Sequence, residues 1–165
     1  YVVTTVYIKG TAVTSSDSIV YITTAQASAD AKGTVYGTDG KTKLTGYEMY
    51  INGEKTTVYF KGTQSLSAGF YTYTVDDTTG AYTLNTSAPS NTKSGSVTAT
   101  LFNGVYYLNG IDEVKDYDAT NAKVVDVKST VDVESMSELK DNGSTSVAVV
   151  YDTDAKTVTT IYVLD

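Results

Sequence analysis

The chain has no cysteine, no histidine, no tryptophan and no arginine, and its only proline is Pro89. Each absence removes a class of chemistry. Without Cys there is no disulfide framework and no thiol nucleophile. Without His or Cys there is no Ser-His or Cys-His pair, and the usual zinc ligands are missing. Without Arg, and with a net charge of −7, the chain has little with which to neutralise a row of phosphates, so nucleic acid is not an expected partner. The same charge repels anionic lipid and anionic cell-wall polymers. No apolar run approaches the ~20 residues that span a bilayer, so membrane insertion is not expected. Neither a GxGxxG nor a Walker-type phosphate loop is present. A carboxylate pair for glycoside hydrolysis remains formally open among Glu48, Glu54, Glu113, Glu134 and Glu138. With no other catalytic constellation in sight, the expectation is a protein that is not an enzyme.

Against these gaps stand 29 Thr and 15 Tyr in 165 residues. Thr, Tyr and Val pack well on a pleated surface, whereas Leu and Glu, the usual material of helices, are scarce. The composition points to an all-β chain long enough to bury roughly 70% of its unfolded surface. It opens on Tyr1 rather than Met, as expected of an excised segment or of a chain whose signal peptide has been removed.

Repeats organise the chain. Residues 4–11 read TTVYIKGT and residues 56–63 read TTVYFKGT, identical at seven of eight positions. Residues 158–165, VTTIYVLD, match VTTVYIKG at 3–10 in kind, at an offset of 155 residues. Ends that match in this way fit a unit of a tandem array or a subunit that joins head to tail; the alternative is coincidence in a sequence rich in Thr, Val and Tyr. Residues 1–8 lack a hairpin partner upstream, so they are expected to pair outside the local hairpin order, with another unit. The expected subunit-contact residues are Val3, Thr5, Val6, Tyr7 and Ile8 at one end and Val158, Thr160, Ile161, Tyr162 and Val163 at the other.

Strand signals are dense. Tyr47, Met49 and Ile51 alternate with Glu48 and Tyr50; Asn52-Gly53 follows, and then Val58 and Phe60 alternate with Thr57 and Tyr59. Asn-Gly between alternating runs predicts a two-residue hairpin, and Asn103-Gly104 repeats the device. Hairpins are also expected through 76–80 and 152–156, with further strands at 1–8, 18–24, 33–37 and 123–133. Ser135-Met136-Ser137-Glu138 has capping-box spacing and predicts one short helix near 135–141, ended by Asn142-Gly143. The polar stretch 85–96 is the best linker candidate. It divides the chain into a module at 1–86, a linker or loop at 87–95, and a smaller module with the helix at 96–165. Each module is expected to be an antiparallel sandwich or partly open barrel. A long surface loop within one domain is the other reading.

Asp112, Glu113, Asp116 and Asp118 crowd four carboxylates into GIDEVKDYDAT. A hard cation would relieve their repulsion, which makes calcium the candidate ion and a solvated acidic turn the plainer reading. Asp152-Thr153-Asp154 opens like a calcium loop but lacks the Gly and the final Glu, so a hairpin turn is expected. The tyrosines Tyr47, Tyr50, Tyr59, Tyr71, Tyr73, Tyr82, Tyr106 and Tyr107 suit a stacking platform for glycan, a subunit contact, or ordinary core and cross-strand packing. The Asn85 and Asn142 sequons are expected by chance, and no Lys–Asn–acid trio for an isopeptide bond is identifiable.

LSAGFYTYTVDDTTGAYTLN and KVVDVKSTVDVESMSELKDNGSTSVAVVYDTDAKTVTTIYVLD resemble repeat modules of large cell-surface proteins of Firmicutes, of the Clostridia type, that are associated with S-layers and S-layer-homology domains. The resemblance covers about 70 residues and rests on the style of the motifs. It implies an extracellular, repeated, non-catalytic β-module at the cell surface whose partners are copies of itself, in an S-layer-like array or a filament. An adhesin or carbohydrate-binding module is the alternative.

Overall fold

The computed structural model describes residues 19–127 and 133–164. It is all-β with one helix. Among the described residues eleven strands form two sheets. The first holds β1 (Ile19–Ile22), β2 (Thr34–Tyr36), β3 (Lys43–Ile51), β4 (Glu54–Lys61), β5 (Gly69–Val75) and β6 (Tyr82–Ser87). Along it, β4 pairs β3, β3 pairs β1 and β2, β1 pairs β5, and β5 pairs β6. The second holds β7 (Thr92–Phe102), β8 (Val105–Asn109), β9 (Lys123–Asp126), β10 (Thr145–Asp152) and β11 (Thr157–Val163), in the order β8-β7-β10-β11-β9.

The turns form for local reasons. Asn52 and Gly53 both sit at positive φ, 52° and 79°, as do Asn103 and Gly104 at 50° and 79°. A two-residue hairpin with matching twist requires this, and Asn and Gly tolerate it best. Between β5 and β6 the Asp76 carboxylate accepts bonds from Thr78 N at 3.1 Å and Thr79 Oγ1 at 2.8 Å. Between β10 and β11 Asp152 Oδ1 accepts from Asp154 N and Ala155 N, an Asx turn rather than a metal loop. The helix α1 (Met136–Asn142) starts at the predicted N-cap, with one half of the capping box: Glu138 N donates to Ser135 Oγ, and the Glu138 carboxylate accepts from the Ser135 hydroxyl, both at 3.1 Å. Met136 and Leu139 turn its apolar side into the second sheet.

Burial follows two periodicities. In β7, Val97 and Ala99 are buried while Ser96, Thr98 and Thr100 are exposed, the alternation of a strand covered on one face. In β1, β10 and β11 nearly every residue is buried, because these strands are covered on both faces. Three packed clusters result. Val20, Ile22, Tyr47, Met49, Val58 and Phe60 fill the inside of the curled first sheet. Val97, Leu108, Val149, Ile161 and Leu139 are among those beneath the second sheet. Between the sheets, Ile19, Tyr21 and Phe70 of the first meet Ala148, Val150 and Tyr162 of the second.

The chain changes sheet between Ser87 and Thr92. Strands β6 and β7 run through most of the polar stretch 85–96, leaving only residues 88–91 between them. Those four are fastened to both sheets. Ala88 N donates to the Phe70 carbonyl at 2.9 Å, Tyr151 N to the Asn91 carbonyl at 3.0 Å, and Tyr151 Oη to the Ser90 carbonyl at 2.8 Å. The stretch is polar because its strands are solvent-exposed. One pairing departs from the antiparallel expectation: β9 runs parallel to β11.

Candidate functional site

The most elaborate polar and aromatic constellation lies where the sheets meet. Tyr162 projects from β11 and stacks on Tyr21, with ring centroids 4.8 Å apart and planes at 24°; it also meets Tyr50 edge-on at 5.6 Å. Tyr21 in turn packs on Phe70 at 4.5 Å. The Tyr162 hydroxyl accepts a bond from Gly53 N, 3.0 Å away in the β3–β4 turn. Burial pushes this phenol up to about 12 and raises that of Tyr21 as well. The turn itself rests on β9. A Cβ on Gly53 would lie 2.7 Å from the Lys123 Cδ, and next to it Lys123 Nζ pairs with Glu54 Oε1 at 2.8 Å. That ion pair holds the Glu54 carboxyl below its usual range. These contacts make a structural joint between the two sheets.

A second feature is an open groove of about 610 Å³ at the mouth of the first sheet. Phe60, Leu66, Tyr71, Tyr82 and Leu84 line it. Lys61 at the end of β4 and Asp76 at the end of β5 pair across its rim at 3.1 Å. The strands flanking it, β4 and β6, each have one ladder partner among the described residues.

The four acidic residues lie in and just after a 3₁₀ turn that follows β8. Asp112 and Glu113 lie in a 3₁₀ turn, 112–114. Glu113 pairs with Lys93 at 3.5 Å. Asp118 accepts from Thr120 N at 2.8 Å, and bonds from Thr120 hold its carboxyl below the usual range. Among the described residues no three acidic side chains are grouped to hold a metal ion. The residues expected at a subunit contact separate into two sets. Val3, Thr5, Val6, Tyr7 and Ile8 lie outside the described residues. Val158, Thr160, Ile161, Tyr162 and Val163 are buried in β11, a strand paired on both sides by β10 and β9. Their apolar surface is used inside the chain. Of the eight strand tyrosines named above, Tyr47 is buried and the other seven are half-buried. The large side chains that do stand in water include Tyr36 on β2, and Leu101 and Phe102 at the tip of the β7–β8 hairpin.

No protein-family model matches the chain. Comparison with curated proteins and with solved structures found no match. Among the described residues no helix is long and apolar enough to cross a membrane.

The joint was partly legible. IVYI at 19–22 and SVAVVY at 146–151 are apolar without alternation, the signature of strands covered on both faces. The groove had no sequence signal, because it depends on how far the first sheet curls.

Proposed function

We propose that the chain is a non-catalytic structural subunit of an extracellular surface assembly, an S-layer-like array or a filament, whose units join by strand and face complementarity. The observation that carries this reading is the combination of a fastened interior with sheet-ending strands that are paired on one side only among the described residues. The shared aromatic layer, the Gly53–Tyr162 bond and the Glu54–Lys123 pair tie the two sheets together, as a load-bearing unit requires. At the same time β4 and β6 end the first sheet with one partner each among the described residues. A strand with an unpaired edge is a template for another chain. The resemblance to cell-surface repeat modules and the absence of His and Cys favour the same class. The glycan-binding alternative draws less support, because the tyrosines that suggested it are half-buried or buried.

The test is the size of the purified chain in solution, followed by light scattering over a concentration series. The full chain should form large species, and deletion of residues 1–8 should leave a folded monomer with an unchanged circular dichroism spectrum. If the deleted chain assembles as the full chain does, joining through this segment is wrong.

A further inference from the structure

The pair Asn-Gly occurs four times in the chain, at 52–53, 103–104, 109–110 and 142–143. Asn followed by Gly is prone to one uncatalysed reaction. The glycine main-chain nitrogen attacks the Asn Cγ, because the glycine has no side chain to hinder the approach. An N–Cγ bond forms and the Cγ–Nδ2 bond breaks. The glycine N–H proton passes through water to the departing nitrogen, which leaves as ammonia. Water then opens the cyclic imide. Cleavage at Cγ gives aspartate, and cleavage at the Asn main-chain carbonyl gives isoaspartate. The reaction consumes only water. It needs a free side-chain amide, a free glycine N–H and a turn with room to rotate.

Three of the pairs are held by the fold. Gly53 is buried, and its N–H donates to Tyr162 Oη at 3.0 Å. A Cβ there would lie 2.7 Å from Lys123 and 3.2 Å from Val125, so this turn is clamped against β9. Asn109 Nδ2 donates to the Thr98 carbonyl at 3.3 Å and to Thr100 Oγ1 at 3.2 Å, and Gly110 packs against the Ser96 carbonyl. Asn142 Nδ2 donates to Thr145 Oγ1 at 2.8 Å, at the end of α1. The pair 103–104 is different. Its backbone matches that of 52–53, with φ of 50° and 79° against 52° and 79°, but its surroundings do not. Asn103 and Gly104 are both exposed. Among the described residues neither the Asn103 amide nor the Gly104 N–H has a hydrogen-bond partner, and none lies within 4 Å of a Cβ placed on Gly104. This hairpin tip can open without parting from the rest of the fold, which sets it at the low end of local stability.

We propose that Asn103 is a site of self-modification, converting to aspartate and isoaspartate in the folded protein while the fold holds back the other three Asn-Gly pairs. Each event adds one negative charge to a net −7. The new carboxylate stands beside Leu101 and Phe102, which are 47% and 66% exposed, so the most apolar part of this tip becomes charged. Isoaspartate also lengthens the main chain of a two-residue turn, whose geometry fixes the register of β7 on β8.

The test follows all four sites at once in the full-length chain. The folded protein is kept in warm, mildly alkaline buffer made with heavy-oxygen water. Samples taken over time are digested and read by tandem mass spectrometry, with isoaspartate separated from aspartate by chromatography. Asn103 should take up heavy oxygen at least about tenfold faster than Asn52, Asn109 or Asn142, the factor expected when one hydrogen bond must first be broken. In urea the four rates should draw together. Equal rates in the folded chain, or a faster rate at another pair, would overturn the site. The same preference for Asn103 in urea would place its cause in the neighbouring residues and overturn the part given to the fold. Tyr162→Phe, shown by circular dichroism to be folded, should speed conversion at Asn52 and leave Asn103 unchanged. An unchanged rate at Asn52, or a rise at all four sites together, would overturn protection by the Tyr162 hydroxyl.

Discussion

Tyr162 touches both sheets at once, and its hydroxyl is the acceptor for a buried backbone N–H at Gly53. Removing that oxygen leaves the N–H unsatisfied. Tyr162→Phe should therefore cost about 1–3 kcal/mol, seen in urea as a lower midpoint at unchanged slope. The same phenol makes the fold sensitive to alkali. Its folded pKa, about 12, lies above the ordinary phenol value of 10.0, so the neutral form is favoured by folding. The stabilisation is full below pH 10 and is lost as pH rises through 12. Denaturation midpoints of the parent should fall across that window, and the fall should be smaller in Tyr162→Phe. An equal fall in both would remove Tyr162 from the account. From sequence, Tyr162 reads as a surface contact because it sits in a terminal strand that matches residues 3–10; its burial comes from Tyr21, Tyr50 and Phe70, more than 90 positions earlier, which no local pattern reports.

The hairpins and the helix were legible because their signals are local. The two-residue turns demand positive φ, which Asn-Gly tolerates, and the Ser135 hydroxyl satisfies the free Glu138 N–H at the helix start. The parallel pairing of β9 with β11 has no such signal, since it joins residues across the helix and a hairpin. The stretch 85–96 reads as a linker because solvent-exposed strands and linkers share a polar composition. Turns also contribute to the acid sensitivity of the molecule. In the 39–42 turn, bonds from Thr42 and Lys41 lower the Asp39 carboxyl to about 2. Bonds from Thr79 and Thr78, with help from Lys61, lower that of Asp76. Depressed carboxylates stabilise the fold above their usual value of 3.8 and lose that contribution as pH falls through the folded value. The melting temperature should drop between pH 4 and pH 2. An Asp39→Asn, Asp76→Asn double variant should start lower at pH 7 and drop less. If both proteins follow the same acid profile, these turns are not its source.

At the scale of the whole molecule, the two sheets share a third packed layer, so force applied at one sheet passes to the other through Tyr21, Phe70 and Tyr162 as well as through the chain. That suits a unit whose work is to hold neighbours. All-β character was legible throughout, because Thr, Tyr and Val dominate; the curl of the first sheet and the groove it opens were not, because they arise from contacts between strands distant in sequence. The central claim is that this body exists to join copies of itself. Electron microscopy of the purified full-length chain, raised stepwise in concentration, tests it most directly. The account predicts ordered sheets or filaments with a repeat of one chain. A field of isolated single particles at every concentration would contradict it.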